Sequence, residues 1–188
     1  MHAIELPAWA VARGRALNHF PTLAVGRAAL VNIDMQNVFL AEDQVFGNVH
    51  ARAIVSPVNA LSQAMQGAGA PVIWTRQTHT FEAPLAPADL TVDKYRYGAF
   101  SCPAGALPKT LERLGVEMLV ITGTLTNVCV DSTAREANMA GYKVLVVADA
   151  TAAVTDAEHN AALLNLRLNF ADVRRTREVL RMIQALSR

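Results

Sequence analysis

The chain has 188 residues, 52% hydrophobic and 18% charged, and 17 basic against 16 acidic side chains leave a net charge of +1. Such a composition excludes a disordered chain and is enough for one core, with about 70% of the unfolded surface buried at this length. The balance lacks the basic surplus of a nucleic-acid binder, and the run Arg174-Arg175-Thr176-Arg177 reads as a solvated helix start, so no nucleic-acid partner is expected.

Residues 1–27, punctuated by Pro7, Gly14, Pro21 and Gly26, show no clean period and read as an N-terminal arm leading into a single domain, 28–188. The stretch 28–34 is a short apolar run ending in Asp34, as expected of a strand buried on both faces. Residues 53–69 carry a helical stripe of Val58, Leu61 and Met65 that Gly67 and Gly69 end, and Pro57 fits there if Ser56 caps a fresh start. A second strand covers 71–75. The following 76–104 is proline-punctuated and aperiodic, and loops of that length in compact domains are usually functional. A short helix over 107–114, a strand over 118–123, a helix over 128–141 and a strand over 143–148 come next. Thr155 and Glu158 form a capping box for a helix to about Asn169, and a terminal helix covers 176–186. Strand and helix alternate, which predicts an α/β fold: a single-domain, three-layer α/β/α sandwich with a mostly parallel, Rossmann-like sheet.

No apolar run reaches the ~20 residues of a bilayer span, so no membrane is expected as a partner. The opening Met1-His2-Ala3-Ile4-Glu5 lacks the order of a secretory signal. Two cysteines, Cys102 and Cys129, without metal-ligand spacing, point to a reducing cytoplasm in which each thiol is a core filler or a nucleophile.

In parallel α/β sheets ligands bind outside the carboxyl ends of the strands, which here bear Asp34, Trp74 and the segment 123–129. No glycine-rich dinucleotide or P-loop motif follows any strand. If Thr126 or Asn127 is the N-cap, Cys129 falls in the first turn of a helix. Unpaired amides and the dipole would then lower its pKa from about 8.5 and could hold an oxyanion. The alternative is a buried cysteine acting as a small hydrophobe. Asp34 is a base or the cap of the next turn. Lys94, in the long loop, either lowers the pKa of a nearby thiol by its charge or is solvated.

Three separated pieces carry a resemblance: Val31-Asn32-Ile33-Asp34-Met35-Gln36-Asn37-Val38-Phe39, the segment from Lys94 to Phe100, and Gly123 to Arg135 with Thr-Asn-Val-Cys-Val-Asp-Ser-Thr-Ala-Arg. Together they resemble the isochorismatase-like cysteine hydrolase family, which includes nicotinamidases, N-carbamoylsarcosine amidohydrolase and ureidoacrylate amidohydrolases. The resemblance covers about residues 28–172. It implies an Asp34-Lys94-Cys129 triad, a cis peptide between Thr124 and Leu125, and an oxyanion hole from the amides of Leu125 and Cys129. It also implies a thioester mechanism on a small amide, ureido or carbamoyl substrate, and a homodimer or homotetramer.

Two departures narrow that reading. Nicotinamidases carry an aspartate and two histidines after the second strand, where this chain has Thr75-Arg76-Gln77-Thr78-His79-Thr80. No metal or other cofactor is therefore expected, and His79 reads as a pocket or surface histidine. True isochorismatases lack the cysteine, so Cys129 points to carbon–nitrogen bonds. Trp74, Tyr97, Phe100 and Asn127 are candidate pocket residues, or core and cap residues. Cys102 reads as a bystander, and His159 and Asn160 as surface or subunit contacts. The competing readings are a non-catalytic binding or scaffold member of the same fold, a hydrolase of another bond, and a redox pair of Cys129 with Cys102.

Overall fold

The computed structural model describes residues 1–78 and 90–185. Among these residues one sheet holds six strands: β1 (Ala28–Ile33), β2 (Val72–Gln77), β3 (Leu90–Lys94), β4 (Met118–Thr124), β5 (Lys143–Ala152) and β6 (Asp172–Arg174). All neighbours pair in parallel, in the order β3-β2-β1-β4-β5-β6. β1 is paired on both edges and covered on both faces, so every residue of it is buried, which is why Ala-Ala-Leu-Val-Asn-Ile reads as a nearly unbroken apolar run. The order reverses between β1 and β4, and such a switch point opens a crevice at the strands' carboxyl ends.

Among the described residues eight α-helices flank the sheet: α1 (Ala8–Leu17), α2 (Asn37–Leu40), α3 (Val49–Ala53), α4 (Val55–Gly67), α5 (Ala106–Arg113), α6 (Asp131–Met139), α7 (Asp156–Asn169) and α8 (Thr176–Gln184). Alternate residues of the central strands feed two cores. Leu30, Val120 and Leu145 meet Val58, Leu61 and Met65 of α4 and Val179 and Ile183 of α8. Val31, Ile73 and Ile121 meet Leu107 and Leu111 of α5, Ala134 of α6 and Leu163 and Leu166 of α7. The result is the three-layer sandwich that the alternation predicts. No described helix is long and apolar enough to cross a membrane.

Four features differ from the sequence expectation. The long loop contains β3, which pairs with β2 from Ile73↔Leu90 to Gln77↔Lys94 and makes Lys94 the last residue of an edge strand. An edge strand covered mainly on one side needs no continuous apolar run, so Leu-Thr-Val-Asp-Lys carries almost no strand signal. β6 is three residues long, too short for any period. Pro57 sits in the first turn of α4, where a missing N–H costs nothing, and Ile54 rather than Ser56 precedes the helix.

Residues 1–27 are more than an arm. Helix α1 docks on α7 of the same chain through Ala10 and Gly14, one turn apart on a helix with little amphipathic signal. A side chain at Gly14 would collide with Arg167, whose guanidinium donates to the Val11 carbonyl (3.2 Å) and to Asp172 (2.9 Å).

Candidate active site

The crevice is built from the ends of β1, β3 and β4. Gly123 lies in β4 at φ 109°, and any Cβ there would run into the backbone of Ile33 in β1. Only glycine permits that approach. The Thr124–Leu125 peptide bond that follows is cis. Leu125 then caps a π-helical turn, Thr126–Val130, which runs directly into α6. The Leu125 carbonyl accepts from the amides of Val128 and Val130, both at 3.1 Å, and steps past Cys129 between them. Single π turns of this kind recur at functional sites. Among the described residues the Leu125 amide makes no hydrogen bond.

This corrects the expected capping. Leu125 is the cap because the chain passes from β4 straight into the turn. Thr126 instead sets its Oγ1 2.9 Å from His159 Nδ1, and Asn127 Nδ2 donates to Glu158 Oε1 at 3.5 Å.

Asp34 follows β1 at φ 47°, a left-handed conformation that aspartate tolerates better than most residues. Thr75, on the neighbouring β2, holds it twice: its hydroxyl accepts from the Asp34 amide (3.2 Å) and donates to Oδ1 (2.8 Å). Lys94 Nζ stands 2.7 Å from Asp34 Oδ2, with both side chains wholly removed from solvent. The ammonium directs hydrogens to Gln77 Oε1 (2.6 Å) and to the Arg96 carbonyl (3.1 Å). Asp34 Oδ2 therefore pairs with the ammonium by charge while accepting no well-aligned hydrogen bond. The Cys129 thiol lies within hydrogen-bonding reach of both Asp34 and Lys94. The structure thus brings the three candidates together in one dry site.

Their electrostatics reverse one expectation. Burial, then the negative charge of Asp34, push the Cys129 thiol up to about 12, and the Lys94 ammonium only partly opposes them. The lowered pKa expected of a helix-start cysteine does not occur, because the sulfur is desolvated and the nearby cation is already engaged by a carboxylate. The resting site holds a neutral thiol beside an ion pair.

Sequence reasoning missed the supports. Thr75 and Gln77 both point to the site from the end of β2, and Gln77 is itself clamped by Gln36, whose Oε1 accepts from the Gln77 amide at 2.9 Å. A strand reading extended two residues beyond Thr75 would have shown this alternation. Cys102 is no bystander. Its sulfur accepts from the Tyr95 amide (3.3 Å) and donates to the Gly98 carbonyl (3.7 Å), closing the loop behind Lys94.

Of the pocket candidates, Tyr97 lines an open cavity of about 510 Å³ with Gln77, Tyr95, Arg96, Ser132 and Glu136. Trp74 does not join it. Strand alternation turns it away from Thr75 onto the opposite core, the one that holds Leu30 and Val72. Phe100 packs on the other core and tilts against Tyr142, ring centroids 5.6 Å apart. Asn127 stays half-buried at the nucleophile turn, its Oδ1 without a hydrogen-bond partner among the described residues. His79 lies outside the described residues.

The isochorismatase domain family matches residues 28–178. The chain belongs to that family. Within this hydrolase family, it is 30% identical over 173 residues to nicotinamidase 3 of Arabidopsis thaliana, a match covering 77% of this chain and 82% of the relative. It is 43% identical over 86 residues to the ureidoacrylate amidohydrolase RutB of Methylobacterium radiotolerans, covering 45% of this chain and 32% of that protein. A cysteine hydrolase structure from Pseudomonas syringae pv. phaseolicola superposes with a TM-score of 0.81 at 26% identity, covering 90% of this chain and 97% of the other.

Proposed function

We propose that this isochorismatase-family protein is a cysteine-dependent amidohydrolase that cleaves the C–N bond of a small amide, ureido or carbamoyl compound, with Asp34, Lys94 and Cys129 as its triad. The observation that carries the reading is the open lone pair of Asp34 Oδ2, desolvated, charge-paired and next to a neutral thiol. Two relatives named as amide hydrolases, nicotinamidase 3 and ureidoacrylate amidohydrolase, point the same way.

In the first half-reaction Asp34 Oδ2 accepts the thiol proton as the sulfur attacks the carbonyl carbon. A thiol at about 12 is a poor resting nucleophile, so proton transfer and attack are coupled. The carbonyl electrons move to oxygen, where the amides of Leu125 and Cys129 hold the developing charge. Removing one such donor costs about 10²–10³ in rate. The tetrahedral adduct collapses, and the C–N bond breaks as the leaving nitrogen takes the proton from Asp34. Water then attacks the thioester, giving a proton to Asp34, and the carboxyl product leaves as that proton returns to sulfur. Lys94 pairs with the Asp34 carboxylate by charge and holds it in place. The sum is amide plus water giving acid plus amine or ammonia.

An ammonia-release screen over small carboxamides, ureido acids and carbamoyl compounds tests this. Release from at least one compound, abolished in Cys129→Ala, is expected. Ligands that bind the crevice and are never hydrolysed would establish the scaffold reading instead.

A further inference from the structure

The nucleophile turn has a second anchor that the proposed chemistry does not use. Three imidazoles stack face to face: His50 on His2, with centroids 3.9 Å apart and planes at 15°, and His2 on His159, at 4.1 Å and 13°. They arrive from the N-terminus, from α3 and from α7. His159 is fully buried, and its Nδ1 lies 2.9 Å from the hydroxyl of Thr126, the first residue of the turn that carries Cys129.

The hydrogen bonds fix the tautomer of His2. His2 Nε2 accepts the Ala153 amide at 3.0 Å, so its proton sits on Nδ1 and is donated to Asp156 Oδ1 at 2.6 Å. His159 Nδ1 is paired with the Thr126 hydroxyl, and its Nε2 makes no hydrogen bond among the described residues. Protonating His50 would set a charge against the face of the His2 ring, and a second charge in the column would repel the first. The charged and titratable groups facing His159 are His2, Asp156 and His50, and the amino terminus faces His50. Burial, then His2, drive His159 down to about 3, and burial likewise lowers His50, while the Asp156 carboxylate acts in the opposite direction.

His2, His50 and Asp156 also bring their ligand atoms within 4.8 Å of one another. Both His2 nitrogens are already engaged, and parallel rings point their lone pairs side by side, not at a common centre. The group reads as a latch.

We propose that His159 is a positioning residue for the Cys129 turn, and that its stack with His2 and His50 makes its grip on Thr126 conditional on a docked N-terminal segment and neutral imidazoles. Acidification opens the latch: the stack separates, residues 1–6 leave, and the turn loosens. The proposal rests on the hydrolase reading for the catalytic role of Cys129, but not for the coupling itself.

Hydrogen exchange on the intact protein at about pH 7.5 and about pH 5, corrected for intrinsic rates, reads the coupling without substrate. Segments 1–6 and 124–131 are expected to lose protection together on acidification. His50→Phe keeps an aromatic ring in the column, removes its titrating group, leaves the His2 bonds to Ala153 and Asp156 in place, and should keep both segments protected at the lower pH. His159→Phe should raise exchange at 124–131 about tenfold at the higher pH. With an amide found in the ammonia screen, it should lower kcat about tenfold with KM within about twofold, partly rescued by His159→Gln. Should His159→Phe not fold, Thr126→Val removes the same contact from its other end. Independent exchange of the two segments, or a Thr126→Val protein with unchanged exchange and kcat, overturns the proposal. So does loss of protection on EDTA treatment that Zn²⁺ restores, which would assign a metal to His2, His50 and Asp156. A protein that hydrolyses no amide yet shows coupled exchange would sink the hydrolase reading and leave the latch standing.

Discussion

Lys94 Nζ and Asp34 Oδ2 lie 2.7 Å apart with neither side chain reaching solvent, yet the ammonium spends hydrogens on Gln77 and the Arg96 carbonyl and leaves the carboxylate oxygen open toward the thiol. A buried pair is costly to desolvate and tolerable only when its remaining atoms are satisfied. Breaking it from one side strands a charge, at about 3–5 kcal/mol. Asp34→Asn and Lys94→Met should each lose roughly that much stability in urea unfolding. The double variant should recover most of it while remaining inactive. Additive losses in that cycle would mean that the two groups do not form the pair described.

The thiol yields a prediction whose sign opposes intuition. Because the Asp34 charge raises the Cys129 pKa, Asp34→Asn removes that push while the pull of Lys94 remains, so the thiol pKa falls from about 12. Alkylation by iodoacetamide at about pH 8 should therefore speed up in Asp34→Asn even as hydrolysis is lost. Labelling located by peptide mapping checks it, and a variant that labels more slowly than wild type would refute the electrostatic account.

Thr75 supports Asp34 through both its amide and Oδ1, and no other described side chain does so. Thr75→Val keeps the shape and removes both bonds, leaving a buried amide and a carboxylate oxygen unsatisfied. A cost of about 1–3 kcal/mol is expected, along with a fall in kcat larger than any change in KM, measured by unfolding and steady-state kinetics.

How much of this was legible in the sequence follows from where the signal is local. β1 and β4 are central strands, and their continuous apolar runs announce them. The Thr155–Glu158 box is a short-range exchange of hydrogen bonds and appears as expected. β3 was hidden because an edge strand takes its pairing from β2 more than from its own composition. Asp34 and Cys129 stand out as polar or reactive residues at strand ends, whereas Thr75, Gln77 and Cys102 matter only through partners far along the chain. The thiol's raised pKa was illegible for the same reason: the helix-start rule describes an exposed turn, and burial is a property of the whole fold.

Gly123 tests the backbone side of the site. At φ 109° against Ile33, Gly123→Ala faces an unfavourable dihedral and a collision with main chain, which cannot swing aside as a side chain can. The variant should lose several kcal/mol, about 2–4, and its Cys129 alkylation profile should move toward that of a free thiol as the turn opens. An alanine variant with wild-type stability would show that β1 and β4 do not approach as described.

His159 makes stability depend on pH in a window set by its two states. In the unfolded chain it takes a proton below about 6.5, while in the folded protein burial and His2 hold it neutral down to about 3. Between those values the unfolded state binds more protons, so stability falls as pH is lowered, by at most ~1.4 kcal/mol per pH unit for one group, and above about 6.5 the residue contributes no slope. His159→Phe, which buries an aromatic ring that cannot titrate, should flatten that part of the curve without changing the slope on the alkaline side. Urea midpoints from about pH 8 to about pH 4 check the sign. A wild-type protein that gains stability on acidification through this range would contradict the buried, neutral imidazole.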